Sequence, residues 1–243
     1  DYHDQEAGHW ILDSKISTPM SPYSDFKNSR TSFGINVMKS IVVEVEASDG
    51  SIGVSTGQGG APACYMIEEH FRRFIVGLDP RDINKAWDQM YRASMYYGGK
   101  GLPMWAISVV DLALWDLLGV IRNEPVYKMI GGAVRDEIEL YCTGIRPDVA
   151  KDEGFIGGKM PLPFAPVDRN KGLKANVEHF QKMRDKVGPD FWLMADCWMS
   201  LDVPYAVELA NAMSKVDLYW IEEALHPGDM DGHKLLKDRV PGM

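Results

Sequence analysis

Two carboxylate side chains follow short apolar runs and could together hold a metal ion. Residues 191–195 (Phe-Trp-Leu-Met-Ala) lead into Asp196, and residues 218–221 (Leu-Tyr-Trp-Ile) lead into Glu222. Runs of this length and composition are typical of strands buried on both faces of a parallel sheet. Carboxylate oxygens suit a hard divalent cation such as Mg²⁺. The spacing alone leaves three interpretations open: a metal site, helix caps or salt bridges, and an acid/base pair.

The segment between the two acids predicts how the fold brings them together. Residues 202–213 show an apolar pattern near period 3.6, and Asp202 is a plausible N-cap. The order strand, helix, strand predicts two parallel neighbours, with Asp196 and Glu222 side by side at their carboxyl ends. In a β/α barrel this end of the strands carries the chemistry.

Several ordered motifs resemble the enolase superfamily and, within it, the L-rhamnonate dehydratase family of sugar-acid dehydratases. Two of them contain the acids: Trp-Leu-Met-Ala-Asp-Cys-Trp-Met at 192–199 and Trp-Ile-Glu-Glu at 220–223. The others lie at residues 1–5, 31–36, 110–116, 131–137 and 154–161. The likeness implies a fold of class α/β plus α+β, in which an enolase-like α+β capping domain precedes the first half of a (β/α) barrel.

The resemblance implies Mg²⁺ as the cofactor, with Asp196 and Glu222 as two of its ligands. In this superfamily the metal ligands end the third, fourth and fifth barrel strands. One further repeat of the 26-residue spacing puts the third carboxylate at about position 250. We therefore expect the chain to be part of a longer protein, cut at both ends, and residues 1–243 alone to be inactive.

Lys159 is the candidate acid or base on the preceding strand. It should point toward Asp196, where burial beside a metal could lower its pKa, or it could simply neutralise the carboxylates. Relatives carry a Lys-x-Lys pair here, but its first position is Gly157 in this chain. The resemblance implies instead a His–Asp base beyond residue 243. His226 and His233 follow Glu222 on a loop and a helix, and we do not assign them that role.

His3 and Arg30 are candidate substrate-binding residues in a long polar loop, residues 1–34. On the sequence alone, solvent-exposed polar residues are the simpler interpretation. The resemblance implies that this loop folds over the barrel mouth and that both side chains contact the acid substrate. An Arg guanidinium suits a carboxylate because it can bond both oxygens at once.

The implied reaction is abstraction of the proton next to a carboxylate, stabilised by Mg²⁺ as a Lewis acid, followed by loss of the 3-hydroxyl. L-Rhamnonate would give 2-keto-3-deoxy-L-rhamnonate, which makes the protein a hydro-lyase. One alternative is another acid-sugar dehydratase or a racemase of the superfamily. A second is a catalytically inactive barrel with a structural or binding role.

Composition excludes several classes of partner. The net charge of −9 argues against nucleic acid. No apolar run reaches transmembrane length and no signal peptide is visible, so no membrane is expected. Cys64, Cys142 and Cys197 are odd in number and far apart, which indicates a reducing compartment, the cytoplasm. Cys197 is expected to pack as a small residue beside the site. The expected partners are a small sugar acid and further copies in a homo-oligomer.

The order of predicted elements gives two domains. Residues 1–103 form the capping domain, with a hairpin at 41–55, two helices and a Gly-rich linker at 96–103. Residues 104–243 form the barrel half, which begins with an apolar helix at 104–120. Its predicted strands are 138–142, 155–160, 191–196 and 218–222, and its predicted helices are 172–187, 203–213 and 229–238.

Overall fold

The computed structural model describes residues 15–27, 31–34 and 37–240. Two compact units make up this part of the chain. One contains residues 37–136, and the other combines the described residues before 37 with those after 136. His3 and Arg30 lie outside the described residues.

The unit of residues 37–136 is built on the predicted hairpin. Strand β1 (Ser40–Glu46) pairs antiparallel with β2 (Ile52–Gln58). At the turn, Gly50 has a φ of 85° and Ser51 donates its backbone N–H to Asp49 at 2.9 Å. This left-handed conformation is what the Asp-Gly signal predicts.

The remaining elements of this unit are helical. They are α1 (Gly60–Met66), a π-turn (Ile67–Phe71), α2 (Arg72–Ile75), α3 (Ile83–Ser94), α4 (Leu102–Arg122) and α5 (Val126–Met129). Helix α4 packs closely on β2, since a Cβ at Gly53 would lie 2.3 Å from the Ala113 carbonyl oxygen. Asp116 of α4 accepts the Val54 backbone N–H at 2.8 Å, so this acid ties the helix to β2.

Helix α4 bears on two predictions, the domain boundary at residue 103 and the absence of an apolar run of transmembrane length. It packs with the hairpin and α3, so the units divide after residue 136 and not after 103. It is also the one helix in the described ranges that is long and apolar enough to cross a membrane. A helix buried in the core of a unit meets the same criterion, and residues such as Ile107, Leu114 and Leu117 are buried in this one.

The second unit contains four parallel strands in the order β3-β4-β5-β6. The strands are β3 (Tyr141–Thr143), β4 (Gly157–Pro161), β5 (Trp192–Asp196) and β6 (Trp220–Glu222). The helices between and after them are α6 (Pro147–Asp152), α7 (Arg169–Val187), α8 (Val203–Ala212) and α9 (Met230–Arg239). The alternation confirms the predicted βα pattern, with the short helix α6 added. Asp202 caps α8 as predicted, accepting the Tyr205 backbone N–H at 2.8 Å.

Arg184 of α7 ties together the amino ends of the strands that carry the two acids. Its buried guanidinium donates to the carbonyl oxygens of Phe191 at 2.6 Å, Val216 at 2.8 Å and Asp217 at 2.8 Å. Phe191 precedes β5, and Val216 and Asp217 precede β6. These bonds satisfy buried carbonyls and fix where each strand begins.

Candidate metal centre

The register of the sheet places the two acids opposite each other. Asp196 pairs with Glu222 at the carboxyl ends of β5 and β6, as the sequence predicts. On the other side of β5, Lys159 of β4 pairs with Met194, two residues before Asp196. Residues two apart on a strand share a face, so Lys159 points to the same side as Asp196.

The Lys159 ammonium bridges both carboxylates. Its Nζ lies 2.5 Å from Glu222 Oε1 and 3.3 Å from Asp196 Oδ2. The Lys159 and Asp196 side chains are 9% and 8% exposed, whereas Glu222 is 32% exposed. Two anions close together thus hold one positive charge between them, which matches the neutralising role considered for Lys159.

The charge balance sets the direction of each pKa shift. Burial lowers the pKa of Lys159, but its hydrogen bond to Glu222 and the two negative charges outweigh burial and leave it raised. Burial raises the pKa of Asp196, and the Lys159 charge only partly opposes this. Without a metal ion, the bridging contacts therefore outweigh desolvation, whereas a lowered pKa for Lys159 beside a bound metal stays a prediction.

Cys197 packs away from the acids. It is completely buried in the core between the sheet and its helices, together with Leu193 and Ala195. Burial raises the pKa of its thiol. The position of Cys197 in this core agrees with the expected packing role.

The loop after β5 has an unusual backbone that the sequence does not signal. Trp198 and Met199 have φ values of 49° and 58°, and Glu223 after β6 has a φ of 48°. Met199 donates its backbone N–H to the Glu223 carbonyl at 2.6 Å, and Trp198 donates its own to Asp196 Oδ1 at 3.3 Å. Left-handed backbone thus follows each of the two candidate ligands. The residues there are Trp, Met and Glu, and not the Gly or Asn from which a left-handed conformation could be predicted.

The described part of the N-terminal loop contacts the loops that follow β4 and β5. Ser17 donates its backbone N–H to the Leu162 carbonyl at 2.7 Å, and its hydroxyl bonds the Ser200 hydroxyl at 2.8 Å. Lys27 forms an ion pair with Asp168. The loop therefore lies at the carboxyl end of the sheet, where the acids are. The positions of His3 and Arg30 in it stay predictions.

Within the described ranges, no group of three or more His, Cys, Asp or Glu side chains is close enough to hold a metal. His226 lies exposed on the loop after β6 and accepts the Gly228 backbone N–H at 3.0 Å. His233 lies on α9. Asp196 and Glu222 thus stay the two candidate ligands, and neither histidine forms a group with them.

Comparison with known proteins gives matches along nearly the whole chain. Residues 15–131 match the mandelate racemase/muconate lactonizing enzyme N-terminal domain, and residues 145–242 match the enolase C-terminal domain-like family. The order of these domains confirms the predicted fold class of an α+β capping domain followed by β/α barrel strands. The boundary between the matches also falls near residue 136, where the two units divide.

Individual relatives are longer than this chain. An L-rhamnonate dehydratase from Saccharopolyspora erythraea is 55% identical over 99% of the chain, which covers 62% of that protein. A rhamnonate dehydratase from Gibberella zeae, solved in complex with Mg, has a TM-score of 0.95 and 55% identity, with 100% of this chain and 60% of that one covered. A racemase from Streptomyces coelicolor with bound magnesium has a TM-score of 0.75 and 31% identity, covering 83% of this chain and 59% of that one. The chain therefore spans about three fifths of the length of these proteins.

Proposed function

Since the chain belongs to the enolase superfamily, we propose that the complete protein is a Mg²⁺-dependent hydro-lyase that dehydrates a sugar acid, with L-rhamnonate as its substrate. The observation that carries this proposal is the pairing of Asp196 with Glu222 across β5 and β6. It occurs in a chain that is 55% identical to an L-rhamnonate dehydratase over 99% of its length.

Asp196 and Glu222 fit a magnesium ion in both chemistry and charge. They would hold the ion through hard carboxylate oxygens at the end of a parallel sheet, which is the ligand type that Mg²⁺ prefers. The Lys159 ammonium contacts both carboxylates and supplies there the positive charge that a metal ion would bring. When bound, Mg²⁺ supplies positive charge that stabilises negative charge developing on the substrate.

The proposed roles of the protein side chains follow from charge and position. Lys159 contributes positive charge beside the carboxylates, because its ammonium contacts both of them. His3 and Arg30 orient the substrate carboxylate from the N-terminal loop. The described residues of that loop, such as Ser17 against Ser200, support this role by placing the loop at the carboxyl end of the sheet.

Replacing Arg30 by Ala tests the role of the N-terminal loop. Loss of a charged, bidentate hydrogen bond to the substrate should cost about 1.5–3 kcal/mol. That is roughly a ten- to hundredfold loss of kcat/KM on L-rhamnonate. Arg30→Lys keeps the positive charge but lacks the planar guanidinium. Its kcat/KM should lie between those of the wild type and Arg30→Ala. Unchanged kcat/KM in Arg30→Ala would remove this loop from the substrate site.

A panel of six-carbon and 6-deoxy sugar acids tests the proposed function itself. The complete protein should form a 2-keto acid from L-rhamnonate with Mg²⁺ and none after chelation of the metal. Faster turnover of another sugar acid would change the substrate but keep the reaction. Inversion of a stereocentre without 2-keto acid would favour the racemase alternative, which the likeness to the Streptomyces coelicolor racemase supports. No turnover of any member would favour an inactive barrel.

A further inference from the structure

The indole of Trp198 carries a buried donor that has no partner in the described part of the chain. Its Nε1–H is shielded from solvent and makes no hydrogen bond to any of the described residues. An indole N–H can only donate, and buried polar groups in folded proteins nearly always have a partner. The missing acceptor therefore needs an explanation at this position.

The backbone around Trp198 holds the indole in place. Its φ of 49° is uncommon for a bulky residue, and Met199 follows with a φ of 58°. Cys197 donates its N–H to the Glu222 carbonyl at 2.9 Å, and Leu201 donates to the Ala224 carbonyl at 3.1 Å. Strained residues that are held by their surroundings cluster at functional sites. The orphan donor and the strained backbone thus occur at one residue, two positions after Asp196.

The neighbours of Trp198 connect the metal centre with the N-terminal loop. Its backbone N–H bonds Asp196 Oδ1 at 3.3 Å. Its ring meets Phe33 edge-on, with ring centroids 6.2 Å apart and planes at 79°. Phe33 belongs to a short 3-10 turn, Thr31–Phe33, which follows Arg30 directly in the chain. A molecule bound between the acids and this loop would lie beside the indole.

We infer that the Trp198 indole N–H donates a hydrogen bond to an oxygen of the bound sugar acid. The inference rests on the proposed function. It adds a hydrogen-bond donor to the substrate site, which the two carboxylates cannot provide. A sugar acid carries hydroxyl and carboxylate oxygens along its whole length, so it brings the acceptor that the described residues do not supply. A neutral donor can bind such an oxygen without adding charge to a site whose carboxylates must attract a cation.

Trp198→Phe tests this inference in the complete protein. The variant keeps an aromatic ring against Phe33 and removes the donor together with the five-membered ring of the indole. Loss of one neutral hydrogen bond to substrate should lower kcat/KM on L-rhamnonate about three- to tenfold. In the ligand-free variant the lost ring volume lowers the Tm and the removal of a buried unpaired N–H raises it, so the Tm without ligand does not separate the two roles. A merely structural role would leave the rise in Tm on adding L-rhamnonate the same as in the wild type.

Trp192→Phe is the matched control at the other end of β5. Trp192 stacks on Tyr219 with centroids 4.3 Å apart, and its change should leave kcat/KM unaltered. Unchanged kcat/KM in Trp198→Phe, or a lowered Tm without a loss of kcat/KM, overturns the inference. A wild type that turns over no sugar acid contradicts the proposed function separately. The rise in Tm on adding L-rhamnonate then tests the inference, and this rise should be smaller in Trp198→Phe than in the wild type. An equal rise in both proteins, or no rise in the wild type, overturns the inference.

Discussion

Substituting Asp196 by Asn should abolish the dehydratase activity of the complete protein while its fold survives. Asn keeps the shape of the side chain but removes the charge that we propose binds Mg²⁺. Metal ions contribute several kcal/mol to stabilising charge in such reactions. The loss should therefore be about a thousandfold or more in kcat, which corresponds to about 4 kcal/mol. The fold should survive because burial already penalises the Asp196 carboxylate, as its raised pKa indicates.

Asp190→Asn is the control for this experiment. Asp190 is exposed and lies just before β5, so its change removes the same charge at the opposite end of the same strand. Its kcat should equal that of the wild type. Turnover by Asp196→Asn that matches the control would show that Asp196 is not a ligand of the catalytic metal.

Replacing Lys159 by Met should destabilise the metal-free protein and increase its response to Mg²⁺. Without the ammonium, Asp196 and Glu222 repel each other in a largely buried position. Removing one partner of a buried charge pair costs about 3–5 kcal/mol, and the 32% exposure of Glu222 reduces this to roughly 2–3 kcal/mol. Added Mg²⁺ should restore most of that stability, because it replaces the lost positive charge.

Thermal unfolding with and without Mg²⁺ measures this effect. The rise in Tm caused by the metal should be larger in Lys159→Met than in the wild type. Lys174→Met removes the same charge from an exposed position on α7 and should leave both Tm values almost unaltered. A variant that is destabilised to the same extent with and without Mg²⁺ would argue that the metal binds away from the Lys159 contacts.

The pairing of Asp196 with Glu222 could be predicted because it depends on short-range patterns. Two apolar runs, the helix between them and its cap at Asp202 define a strand–helix–strand unit, and parallel strands bring their carboxyl ends to one edge. The register then follows from the equal positions of the acids at the strand ends. The hairpin could be predicted for a similar reason, since Asp49-Gly50 marks its turn.

Other features depend on contacts between distant segments, which a single sequence does not reveal. Helix α4 is apolar on most sides, so its pattern does not tell which unit it packs against. The raised pKa of Lys159 depends on its distances to Asp196 and Glu222. The left-handed backbone at Trp198 could not be predicted, because the position holds neither Gly nor Asn. Hydrogen bonds from the loop after β5 to the segment after β6 hold this conformation.

We propose that Asp196 and Glu222 bind one divalent cation together. Crystals of the complete protein grown with Mn²⁺ in place of Mg²⁺ test it most directly, because manganese can be located by its anomalous scattering. We expect a single strong peak about 2.1 Å from a carboxylate oxygen of each residue, with the Lys159 ammonium displaced from between them. A peak that contacts neither carboxylate, or an ammonium still bridging both at saturating metal, would contradict it.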